Sequence, residues 1–109
     1  MKLSDLAHAR SGDKGNHANI GVVANDAPAF EQLQRHLTAA RVEEYFRGLG
    51  VSRVERFELP RIGALNFVLY NALAGGASQS LRIDTQGKLL GTAILDLDLP
   101  VASSLNPEP

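Results

Sequence analysis

A chain of 109 residues, 44% hydrophobic and 21% charged, has the length and composition of one small globular domain. Its net charge of -1 gives no long-range pull toward nucleic acid or an acidic membrane surface, and no apolar run reaches membrane-spanning length. With no cysteine, disulfides and thiolate–metal sites are excluded; together with the lack of an apolar leader in "MKLSDLAHAR", this predicts a cytoplasmic protein.

"LSDLAHARS" alternates loosely and predicts a first strand. A glycine-rich turn follows, and "ANIGVVA" is β-branched enough for a second strand. Asp26 is placed to cap a helix, with Pro28 and Glu31 suited to its first turn. Phe30, Leu33 and Leu37 share one helical face, but the next apolar set, Val42, Tyr45, Phe46 and Leu49, is out of phase with it. Thr38 stands at the slip and predicts a break with a second cap, and Gly48 and Gly50 end the helical stretch. "VSRVERFELP" reads as a strand with Phe57 and Leu59 on one side, stopped by Pro60.

"IGALNFVLYNALAGG" predicts a second helix, with Leu65, Val68, Leu69, Ala72 and Leu73 as its stripe and Gly75 and Gly76 as its stop. "SLRID", "TQGK" and "LLGTAILDLDLP" predict a closing hairpin in which Leu95, Leu97 and Leu99 face inward. The expected order is β-β-α-β-α-β-β, with a domain over residues 1–99 and a flexible tail over 100–109. Two helices on one face of a mainly antiparallel sheet then make an α+β, ferredoxin-like two-layer sandwich. Ile20, Phe57, Leu65, Val68, Leu69, Leu95 and Leu97 are its expected core.

Two polar stretches exceed what turns require. In "ARSGDKGNHANIG", Gly12 and Gly15 allow backbone amides to converge on an anion, Lys14 and Arg10 add charge, and Asn16 and Asn19 can orient a carboxylate. The alternative is a plain turn in which Asp13 and Asn16 bond their own backbone and Lys14 is simply solvated. In "ALAGGASQSLR", the glycines stop a helix, while Ser78, Gln79, Ser80 and Arg82 add polar groups; Asn66 and Asn71 ride on that expected helix. His8, His17 and His36 are scattered and suggest no metal site. Nothing in the composition or spacing names a reaction.

"LAHARSGDKGNHANIGVVA" and "YFRGLGVSRVERFELPRIGALNFVLYNALAGGASQSLRIDTQGKLLG", in that order, resemble the C-terminal ferredoxin-fold domain of AtuA-like, acyclic terpene utilisation proteins over about residues 2–99. The resemblance implies a free-standing small subunit beside a larger AtuA-like partner, in breakdown of terpenoid or related branched acids through CoA thioesters. It implies a carboxylate or acyl-CoA ligand but no settled catalytic residues and no cofactor. Where glycines followed by Thr-Arg are expected, this chain has "GGASQ", so Gln79 replaces a cation.

The resemblance favours a functional cradle over a plain turn. The candidate binding residues are Arg10, Ser11, Gly12, Asp13, Lys14, Gly15, Asn16, Asn19, Asn66, Ser78, Gln79 and Arg82, with Ser11–Asn19 expected to lie beside Ser78–Arg82. The leading expectation is an accessory binding subunit, not catalytic alone, that forms a homo-oligomer and binds neither nucleic acid nor membrane. The competing readings are a self-sufficient hydratase or lyase using His8 or Asp13 as base, and a purely structural oligomerisation domain.

Overall fold

The computed structural model describes residues 1–14, 17–71 and 86–101, and of Asp13, Lys14 and residues 86–89 the backbone alone. Four strands form one antiparallel sheet: β1 Ala7–Lys14, β2 His17–Ala24, β3 Arg53–Leu59 and β4 Ala64–Tyr70, in the order β1-β2-β4-β3. Three helices, α1 Ala27–His36, α2 Ala39–Tyr45 and α3 Gln86–Ile94, pack their apolar stripes on one side of it. The expected two-layer α+β class is therefore correct.

The element order is ββα(α)ββα, which is a ferredoxin-like βαββαβ with its last strand moved to the front. The two ends of the circuit meet accordingly. Leu3 N donates to Leu97 O (2.9 Å), Ser4 N to Leu95 O (3.0 Å), and the Met1 amine to Leu99 O (3.1 Å).

Local sequence accounts for the helix boundaries. Asp26 Oδ1 accepts from Ala29 N (2.9 Å) at the start of α1, and Thr38 Oγ1 accepts from Arg41 N (3.1 Å) at the start of α2, as the phase slip predicts. The carbonyls left at the end of α1 are met by the sheet: Arg56 Nη1 donates to Gln34 O (3.1 Å) and Leu37 O (3.0 Å).

Two elements differ from expectation. "ALNFVLY" is strand β4, not a helix, because Leu65, Phe67 and Leu69 are the buried set and alternate strictly. Val68, apolar but on the other face, had completed a false helical stripe. The expected closing hairpin is replaced by α3, and "SLRID" lies outside the described residues.

Glycine argues against a helix over 86–94, yet Gly91 is what lets α3 lie on β1. A Cβ there would stand 2.9 Å from Ser11 Oγ and 3.1 Å from Ser11 N. The first strand also begins later than expected, after a 3-10 turn at Leu3–Asp5. Leu97 and Leu99 are buried with exposed Asp96 and Asp98 between them, but only Asp98 pairs, in an isolated bridge to Lys2. Of the expected core, Ile20, Leu65, Leu69 and Leu97 are buried and Leu95 is half-buried against it, whereas Phe57 and Val68 lie on the uncovered face.

Candidate functional site

The strands alternate, so each residue of the site falls on one of two faces of the sheet. The register continues to Lys14↔His17, so Ser11–Lys14 and His17–Asn19 are ladder rather than loop. The expected loop is therefore strand on either side of its turn, and the turn itself, at residues 15 and 16, lies outside the described residues. Gly15, Asn16, Ser78, Gln79 and Arg82 lie outside the described residues, as do the side chains of Asp13 and Lys14. The expected adjacency of the two glycine-rich stretches falls there too.

Ser11 belongs to the covered face. Its Oγ accepts from Gly91 N at 2.7 Å, so its hydroxyl is engaged in seating α3. Arg10, Gly12, Asn19 and Asn66 come together on the open face. Arg10 pairs with Gly21, and Gly21 with Asn66; Gly12 pairs with Asn19, and Asn19 with Val68.

Each asparagine thus has a glycine as cross-strand neighbour, and the sheet sinks between them. A Cβ at Gly12 would meet Asn19 Oδ1 at 3.4 Å, and one at Gly21 would meet Asn66 Oδ1 at 3.9 Å. The hollow there, about 210 Å³, is lined by His17, Ala18, Asn19, Asn66 and Val68. Asn19 Nδ2 reaches Asn66 Oδ1 at 3.5 Å, the long limit of a hydrogen bond, so most of the capacity of both amides is unspent. Among the described residues, Arg10 makes no ion pair or side-chain hydrogen bond. One open strand position, Gly21, separates it from Asn66, within the span of an arginine side chain.

His17 is the residue that the sequence reading passed over. Its Nδ1 accepts from Asn71 N at 3.0 Å, which leaves Nε2 as the ring's donor. Its ring meets Tyr70 edge-on at 4.9 Å, and Tyr70 Oη donates to Glu55 Oε1 at 2.6 Å with Arg53 stacked 4.2 Å above the ring. The bond to Glu55 is the largest cause of a raised Tyr70 pKa, since it holds the phenol protonated beside a carboxylate. Strand parity was the available signal: once β2 starts at residue 17, His17 and Asn19 share a face.

His8 is exposed on the open face, paired in the ladder with Val23. Among the described residues no group of three or more His, Cys, Asp or Glu side chains is placed to hold a metal ion, and no helix is long and apolar enough to cross a membrane. A larger hollow of about 600 Å³, mostly apolar, opens between Tyr45, Phe46 and Leu49 on one side and Leu90 and Ala93 on the other. It lies on the helical layer and touches none of the expected site residues.

An antiparallel sheet covered by helices on one side, with a polar hollow on its open side, defines a ferredoxin-like α+β domain. Residues 1–100 match the family model of the AtuA ferredoxin-like domain, and the chain belongs to that family. Comparison with curated proteins and with solved structures gives no match.

Proposed function

We propose that this chain is a small binding module of an AtuA-like system for branched or terpenoid acids, not catalytic by itself. A carboxylate, on a free acid, at the far end of the acyl chain of a CoA thioester, or on a larger partner subunit, seats in the hollow of the open sheet face. The observation that carries this reading is the pairing of two asparagine amides, each beside a glycine, with an Arg10 guanidinium that has no described partner. The amides supply N–H donors at the floor and the guanidinium supplies charge at the rim. His17, whose Nδ1 is taken by the Asn71 amide, adds its Nε2 as a donor at the end of the hollow. The size of the hollow suits the head of an acid rather than a whole thioester, so the remainder of a large ligand lies along the open face or against a partner.

Titration with 3-methylbutanoate, followed by the side-chain amide resonances of Asn19 and Asn66, tests the reading. Saturable shifts are expected, and Arg10→Gln should weaken binding about 10-fold or more, since a charge-assisted hydrogen bond contributes about 1.5–3 kcal/mol. Its exposed position leaves the melting temperature nearly unchanged. The absence of any saturable shift with this acid would overturn the proposal.

A further inference from the structure

The strand order leaves β3 at an edge of the sheet, and the phase of its hydrogen bonding follows from one bond. Ala24 N donates to Gly63 O at 2.8 Å, in line with the β2–β4 register. Hydrogen-bonded and non-hydrogen-bonded pairs alternate in an antiparallel ladder, so Leu65, Phe67 and Leu69 bond toward β2 and Ala64, Asn66, Val68 and Tyr70 toward β3. Their β3 partners Arg53, Glu55, Phe57 and Leu59 therefore turn their backbone groups inward. Val54, Arg56 and Glu58 turn theirs outward, and among the described residues no backbone group meets them. The edge is seven residues long, with unbroken register and no proline before Pro60. Such an edge is a template for another strand.

Its side chains favour a second copy in one register. Phe57 is 46% exposed and Leu59 45%, both on the open face. A twofold axis perpendicular to the sheet can pass through any one residue of β3. Through Arg53, Glu55, Arg56 or Glu58, that residue would face its own mate, carboxylate on carboxylate or guanidinium on guanidinium. Through Val54 the exposed Phe57 and Leu59 would fall beyond the partner's β3, and through Leu59 only the end of the strand would pair. Through Phe57, aromatic faces aromatic at a non-hydrogen-bonded position, Arg56 faces the mate of Glu58, and Glu58 faces the mate of Arg56. The outward backbone groups of Arg56 and Glu58 then pair with each other across the axis.

We infer that the chain forms a twofold dimer by antiparallel pairing of β3 with β3 of a second copy, centred on Phe57. The result is a continuous eight-stranded sheet with both open faces on one side. Phe57 is the ladder partner of Asn66, so the axis runs beside the hollow and sets two hollows next to each other. The inference does not depend on the ligand reading, because a dimer can form whether or not the hollow binds a carboxylate.

The chain's lack of cysteine makes the register directly testable. Opposed non-hydrogen-bonded residues have Cα atoms about 4.5 Å apart, inside the disulfide range of roughly 4.4–6.8 Å. Phe57→Cys should therefore give a covalent dimer on mild oxidation, while Glu55→Cys, whose mates would stand about 14 Å apart, should not. Sedimentation at 10–100 µM, on the order of ordinary working concentrations, should show a dimer for the unaltered chain and a monomer for Phe57→Glu. A monomer for the unaltered chain, a dimer with no Phe57→Cys cross-link, or equal cross-linking through Glu55→Cys would each overturn the inference. The unaltered chain and the cysteine variants decide it even if Phe57→Glu impairs folding.

Discussion

On the covered side of the sheet, Ile20, Phe67 and Leu69 are sealed from solvent beneath the helices; one residue away on the same strands, Asn19, Asn66 and Val68 stay partly open. The two sides share a backbone and differ only in parity. The covered side is a continuous apolar layer that reaches from β1 to β3 and includes Leu33, Val42 and Ile94 of the helices. The open side mixes glycine, asparagine, histidine and arginine with exposed Phe57 and Leu59. Stability is concentrated on one side, which leaves the other free to be polar and recessed.

That contrast is broken most directly at neighbouring residues of β4. Phe67→Ala should cost about 3–5 kcal/mol, the usual range for a fully buried phenylalanine. Val68→Ala, on the open face, should cost less than about 1 kcal/mol. Urea unfolding of the two variants checks both values. Equal losses would mean that the open face is packed against something in solution.

A smaller effect is expected where the covered face is held at closest approach. Gly91→Val places carbon where Ser11 Oγ, Ser11 N and Arg10 C stand within 3.2 Å of a modest Cβ, and two of these three atoms are backbone. The helix must move off β1, at a cost of about 1–3 kcal/mol as for other overpacked sites. Loss of the Gly91 N to Ser11 Oγ bond should appear as faster amide exchange at residue 91. A melting temperature equal to that of the parent chain would show that α3 does not rest on β1 as described.

These residues also show where sequence reasoning succeeds. Caps are local, and Asp26 and Thr38 announced themselves because an oxygen-bearing side chain must sit three residues before the amide it serves. Strand β4 was misread because an outward Val68 makes Leu65, Val68 and Leu69 mimic a helical stripe; parity could be settled only by the neighbours Val22, Ile20 and Ala18 that pair with it. Helix α3 was hidden because the reason for Gly91 lies 80 residues earlier, in Ser11. For the stretch around Gly12, the polar residues are legible in the sequence, but the extent of strand on either side of the turn is not. A loop was expected where the ladder runs on to Lys14, and His17 gained its place beside Asn19 only through that longer strand.

The smallest expected effect lies on the open face itself, at Tyr70. Its hydroxyl donates to Glu55 at 2.6 Å, and ionisation would remove that proton and leave two anions in contact. The bond to Glu55 therefore raises the pKa above its ordinary value of 10.0, with Arg53 above the ring opposing part of the shift. The sign follows from proton linkage. The folded state keeps the proton to higher pH than the unfolded chain, so the contribution to stability is complete below the unfolded value and is lost as pH rises through the folded one. Absorbance at about 295 nm, which follows phenolate, should show both tyrosines titrating above the ordinary value. Tyr45 is also raised, by burial and by Asp96, so the assignment needs a variant. Glu55→Gln should lower the Tyr70 midpoint and leave that of Tyr45 in place, because a neutral amide accepts the hydrogen bond without the second charge. If Glu55→Gln leaves both midpoints unchanged, the pair is not formed in solution, and the open face is less ordered around His17 than the covered one.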